Sequence, residues 1–172
     1  MHVACHELLG HGVGKLIYRD AEGKASKFYD PYTETDFESC YEEGDTWNGK
    51  FGSISTSFEE CRADTCGYFL CQLPEVYTLF GFEENEIDTM LWVNVMNQFR
   101  KGILGLQLYN PETQKWGQAH TNGAYVLSMY LYQNQKSDIV KFELKEETEE
   151  FYIHLNKENL MKEGKELIMK FL

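Results

Sequence analysis

His6 and His11 bracket the hexapeptide His6-Glu7-Leu8-Leu9-Gly10-His11 and stand five residues apart. Two imidazoles that share a metal ion from one helix ordinarily stand four apart, on adjacent turns of one face, with a glutamate between them as general base. At about 100° per residue, five steps leave the two rings about 140° apart. A regular helix therefore cannot aim both at one point. Either the histidines are ordinary helix residues, or the helix carries a bulge of one residue near Leu9-Gly10 that brings them together, as π-type bulges do.

Two imidazoles leave a catalytic zinc one protein ligand short, and the usual completion is a carboxylate from another helix. Glu59-Glu60-Cys61-Arg62-Ala63-Asp64 offers one. Glu60 and Asp64 are four apart on one face, so Glu60 could ligate while Asp64 accepts the outer N–H of a ligating histidine. Glu59 lies close enough to do the same. The competing reading is structural: Thr56 or Ser57 followed by Glu59 and Glu60 satisfies a helix start without any metal.

The rest of the chain reads as mainly α, one domain of 172 residues. Expected helices run over about Val3 to Gly12 and about Thr56 to Leu73. Ile87, Leu91, Val95, Phe99, Ile103 and Leu106 recur every three or four residues, an amphipathic helix of more than 20 residues. Another helix is expected after Pro111, carrying Trp116, His120, Val126, Leu127 and Tyr130. One short hairpin is expected at Gly14 to Tyr18 around the turn Asp20-Ala21-Glu22-Gly23, and a second at Ile139 to Leu144 and Phe151 to Leu155. Asn156 is placed to cap a last helix containing Leu160, Leu167, Ile168 and Phe171.

Composition excludes several classes. A hydrophobic fraction of 42 % and 15 % aromatics can build a core, and no apolar run reaches spanning length. Sixteen basic against 28 acidic residues give a formal charge of −12, which argues against nucleic acid or an anionic membrane as partner. Asp30, Glu34, Asp36, Glu38, Glu42, Glu43 and Asp45 form a block without a base, read as a solvated loop or as a wall that draws in a peptide's amino group. Five cysteines without a Cys-x-x-Cys pair read as reduced thiols. The expected location is cytoplasmic.

Together the two hexapeptides resemble the signature pair of the dipeptidyl peptidase III family of zinc metallopeptidases. The resemblance extends through Gly12-Val13-Gly14-Lys15, Gly44-Asp45-Thr46-Trp47, Lys50-Phe51, Phe80-Gly81-Phe82, Pro111-Glu112, Trp116 and Gln118-Ala119-His120, in family order from about residue 6 to about 130. It implies one Zn2+ held by His6, His11 and Glu60, with Glu7 activating zinc-bound water. It also implies Glu59 and Asp64 as supports behind the metal ligands, and His120 as a group stabilising the oxyanion. The activity implied is release of dipeptides from the N-termini of short peptides. Family enzymes are two-lobed and several times longer, so the chain is expected to be part of the zinc-carrying helical lobe, weakly active or inactive without the other lobe. Met1, five residues before His6, fits such a fragment. Asn48 and Ala124 stand where family members carry Asp and Arg. The alternative is a non-catalytic zinc-binding helical module.

Overall fold

A computed structural model describes residues 1–14, 16–30 and 33–172; Lys15 and Pro31, which the sequence reading placed in a hairpin strand and at a break, lie outside them. The fold is mainly helical with three two-stranded antiparallel sheets among the described residues, one more than the upper expectation.

Helix α1 (His2–Cys5) runs without a break into a π turn over His6–Gly10 and a 3-10 turn over His11–Val13. The expected bulge is therefore present, and the His11 N–H donates to the His6 carbonyl to close the wider turn. Gly10 itself has an ordinary right-handed helical backbone. A Cβ on Gly10 would lie 2.7 Å from the Ala63 carbonyl oxygen and 2.9 Å from the Ala63 Cα, so glycine lets the π turn press against the next long helix.

That helix is α3 (Ser55–Leu70), which the sequence placed almost correctly. Its start is not the expected capping box. Thr46, not Thr56, caps the preceding short helix α2 (Trp47–Phe51) by accepting from the Gly49 N–H, and a 3-10 turn over Gly52–Ile54 leads into α3 with no side-chain cap. Trp47 donates its indole N–H to the Ser55 carbonyl and packs with Phe51 and Phe58, which fixes the corner.

Pro74 follows the break after α3 and opens α4 (Pro74–Leu79), where a missing N–H costs nothing. Helix α5 (Glu84–Leu104) begins with a capping box between Glu83 and Glu86. Ile87, Leu91, Val95 and Phe99 are buried as their spacing requires, Ile103 is half-buried, and Leu106 is exposed in a terminal 3-10 turn. Trp116 is not helical: β3 (Tyr109–Asn110) pairs with β4 (Lys115–Trp116), and α6 (Ala119–Asn134) starts only after Gln118, whose side chain caps it.

The first hairpin also lies elsewhere. The Asp20–Gly23 turn exists, held by the Asp20 carboxylate, but the strands are β1 (Ser26–Asp30) and β2 (Thr35–Ser39), paired from Ser26 with Ser39 to Asp30 with Thr35. Most of the acidic block falls on this hairpin, where Lys27 pairs with Glu38, and beyond it Arg19 pairs with Glu42 and Lys50 with Asp45.

The C-terminal hairpin matches expectation, β5 (Val140–Lys145) with β6 (Glu150–Leu155). Asn156 caps a helix that passes from α7 (Lys157–Asn159) through a π turn at Leu160–Gly164 into α8 (Lys165–Phe171). The main core gathers Tyr68, Phe99, Leu127, Ile139, Leu160 and Ile168, so α3, α5, α6 and the C-terminal elements share one apolar centre. Glu163 ties this tail to the loop after α6 by accepting from the N–H groups of Lys136 and Ser137 and from the Ser137 hydroxyl. Cys61 and Cys71 are buried, Cys66 is half-buried, and all five thiols are free, as expected.

Candidate metal centre

The π turn and α3 bring the two hexapeptides face to face. His6 and His11 have ring centroids 4.7 Å apart and planes nearly perpendicular, at 87°. A straight helix would have separated these rings; the extra residue of the turn makes them converge. Opposite them, one oxygen of Glu60, Oε2, lies 3.2 Å from His6 Nε2, 3.5 Å from His11 Nε2 and 2.9 Å from His120 Nδ1. His120 reaches this point from the first turn of α6, which lies close against α3: a Cβ on Gly123 would be 2.9 Å from the Cys61 Cα.

The outer nitrogens are held separately. His6 Nδ1 donates to Asp64 Oδ1 at 2.8 Å, and His11 Nδ1 donates to Glu59 Oε1 at 2.9 Å. An ionised carboxylate can only accept, so Nδ1 carries the proton in each neutral ring and Nε2 presents a lone pair. Both lone pairs face Glu60 Oε2.

The electrostatics follow from these contacts. Arg62 grips Glu59 with two nitrogens, 2.6 Å and 3.0 Å from its oxygens. Burial alone would push the Glu59 pKa up, but hydrogen bonds from Arg62 and His11 bring it below the ordinary carboxylate value. The His11 pKa is raised, chiefly by the hydrogen bond to Glu59.

Asp64 is 2 % exposed and also accepts from Lys101 Nζ at 3.0 Å. Glu7 is exposed beside His6 and shares with Lys101, Gln118 and His120 the wall of a cavity of about 340 Å³. Ala124 does not line it; this residue is fully buried, and its carbonyl accepts from Gln98.

Two buried atoms here lack a hydrogen-bond partner among the described residues, His6 Nε2 and Glu60 Oε2. Buried polar groups are nearly always satisfied, so a pair of orphaned acceptors 3.2 Å apart fits a cation as the absent partner. Ligand-type atoms of His6, Glu7 and His11 lie within 4.8 Å of one another, as do those of His6, Asp64 and His120. The second set is less suited to a metal, because both Asp64 oxygens already receive donors.

Every residue singled out in the two hexapeptides thus meets at one place, together with His120 from 60 residues further on. Sequence reasoning missed Lys101, and also His2, which stacks on Tyr68 and places Nε2 3.4 Å from the Asp64 carbonyl.

The model of peptidase family M49 matches residues 1–172. The chain is similar to dipeptidyl peptidase 3 of Rattus norvegicus, 41 % identical over 131 residues, 74 % of this chain and 18 % of that protein. It is 40 % identical over 131 residues to dipeptidyl peptidase 3 of Homo sapiens, with the same coverage, and 33 % identical over 144 residues to that of Dictyostelium discoideum, 76 % of this chain and 21 % of that protein. The chain therefore spans about a fifth of the length of the curated relatives it matches.

Proposed function

The chain belongs to peptidase family M49, and from that premise we propose that it forms the metal-holding part of a zinc-dependent dipeptidyl peptidase acting on the free N-termini of short peptides. The observation that carries the reading is the convergence of His6 Nε2, His11 Nε2 and Glu60 Oε2, two of them buried without a hydrogen-bond partner among the described residues. In this reading His6, His11 and Glu60 hold one Zn2+, while Asp64 and Glu59 keep the two rings turned. Two neutral imidazoles and one carboxylate match the ligand types and open position of catalytic zinc. When bound, the ion would lower the pKa of water and polarise the scissile carbonyl.

Glu7, exposed beside His6, takes the proton of the attacking water and passes it to the leaving amine. His120, half-exposed in the wall of the cavity, donates a hydrogen bond to the developing oxyanion. The names of the relatives support dipeptide release as the product. The groups that grip the substrate's termini belong, in this proposal, to a second lobe outside these residues, so remote binding energy for the transition state is small in this chain alone.

The test is hydrolysis of a dipeptidyl-naphthylamide by the zinc-loaded chain at high concentration. The expected result is slow turnover, lowered by about 10²–10⁴ in Glu7→Ala with the metal retained. Cleavage of N-terminally blocked peptides instead would contradict dipeptide release. A second reading, which the convergence of His6, His11 and Glu60 alone also supports, is a zinc-holding helical module without turnover. It predicts no hydrolysis by either form, with metal bound in both.

A further inference from the structure

We propose that Lys101 is a positioning residue for the metal centre, acting on His6 through Asp64; the inference rests on the zinc reading above. Asp64 is 2 % exposed, and a buried carboxylate is costly unless it is both charge-paired and hydrogen-bonded. Its two oxygens are divided between two partners. Oδ1 accepts from His6 Nδ1 at 2.8 Å, and Oδ2 accepts from Lys101 Nζ at 3.0 Å. The carboxylate cannot turn about its axis without losing one of them. Lys101 therefore sets the plane of Asp64, and Asp64 sets the ring of His6.

The same relay occurs behind the other imidazole, where Arg62 holds Glu59 and Glu59 holds His11. The two relays differ in origin. Arg62 lies three residues from Glu59 on α3, whereas Lys101 comes from α5, 37 positions from Asp64. Its placement depends on how α5 seats. The next residue, Gly102, is so close to α6 that a Cβ would lie 2.5 Å from Ser128 Oγ and 2.8 Å from the Ala124 carbonyl. The α5–α6 contact thus fixes where the Lys101 stem begins, and the metal centre is coupled to a helix outside both hexapeptides. His2 adds a weaker support from the other side, with Nε2 3.7 Å from Asp64 Oδ1.

Removing Lys101 leaves Asp64 a buried carboxylate with its countercharge gone and one oxygen short of a donor. Its hold on the His6 ring then loosens, and the effect is read in metal affinity, not in substrate binding. The test is zinc affinity by chelator competition for Lys101→Met and Lys101→Arg, each made with Asp64 and with Asp64→Asn. Circular dichroism of the metal-free proteins checks the fold, and Lys101→Gln replaces Lys101→Met if that variant does not fold.

With Asp64 present, Lys101→Met is expected to weaken zinc binding by about 10- to 100-fold, the usual effect of losing an outer support of a metal ligand, and Lys101→Arg to retain most of the affinity. In the Asp64→Asn background, Lys101→Met is expected to change affinity by less than about threefold, since the group it acts through is gone. Equal losses in both backgrounds, or unchanged affinity in Lys101→Met, overturns the proposal while leaving the zinc reading intact. Failure of the wild-type chain to bind zinc overturns both.

Discussion

The imidazoles of His6 and His11 owe their state to the acids behind them. Asp64 and Glu59 each accept a hydrogen bond from an Nδ1–H, so the two Nε2 lone pairs are left facing the Glu60 carboxylate. This arrangement was legible in the sequence because three kinds of residue, imidazole, carboxylate and the glutamate between the histidines, occur at spacings that only a few geometries satisfy. Lys101 and His2 were not legible. A helical pattern says which face of α5 is apolar, but not which distant acid a lysine at the edge of that face will reach.

Glu163 shows the same chemistry away from the site. Burial would raise its pKa, yet the Ser137 hydroxyl and the N–H groups of Lys136 and Ser137 stabilise its charged form and hold the pKa below the usual value near 4.5. A depressed carboxylate stabilises the fold above its unfolded pKa, and that contribution is lost as pH falls through the folded pKa. Urea unfolding of the metal-free chain between pH 3 and 7 is therefore expected to show a smaller loss of stability on acidification in Glu163→Gln than in the wild type. Identical pH profiles would remove Glu163 as an anchor of the C-terminal elements.

Among the elements, the long periodic helices and the C-terminal hairpin were readable because burial repeats along them at the period of their backbone. The short elements were not. The Asp20–Gly23 turn is real, but its carboxylate closes it locally, so among the described residues a turn signal appeared without two strands pairing across it. Ser26–Asp30 and Thr35–Ser39 pair through an acidic, exposed ribbon that carries little hydrophobic alternation. Trp116 reads as helical by spacing, yet it packs against Tyr109 across a two-residue ladder.

The π turn is the element on which the site depends, and its packing is testable. Gly10→Ala would place a methyl group 2.7 Å from the Ala63 carbonyl, against backbone that cannot step aside cheaply. The expected cost is about 1–3 kcal/mol of stability, as for other overpacked contacts. Zinc affinity should fall with it, because the two histidines move away from Glu60. Denaturant unfolding and a zinc titration check the two effects, and a fully tolerated alanine would mean that the close approach is not needed.

Across the whole molecule, the apolar centre and the candidate metal centre occupy different parts of the same helices. Tyr68, Phe99 and Leu127 anchor the core on α3, α5 and α6, while Glu60, Asp64, Lys101 and His120 emerge from those three helices toward the π turn. The core thus acts as the frame that holds the charged residues in place. An acidic chain gains further from a bound cation, since a metal that binds only the folded form adds its binding free energy to stability.

The most direct test of the account is the metal content of the purified 172-residue chain, measured beside His6→Ala, His11→Ala and Glu60→Gln. The account predicts about one zinc per wild-type chain and its loss at each of the three substitutions. A wild-type chain that binds no metal, or one whose metal survives all three changes, would contradict it.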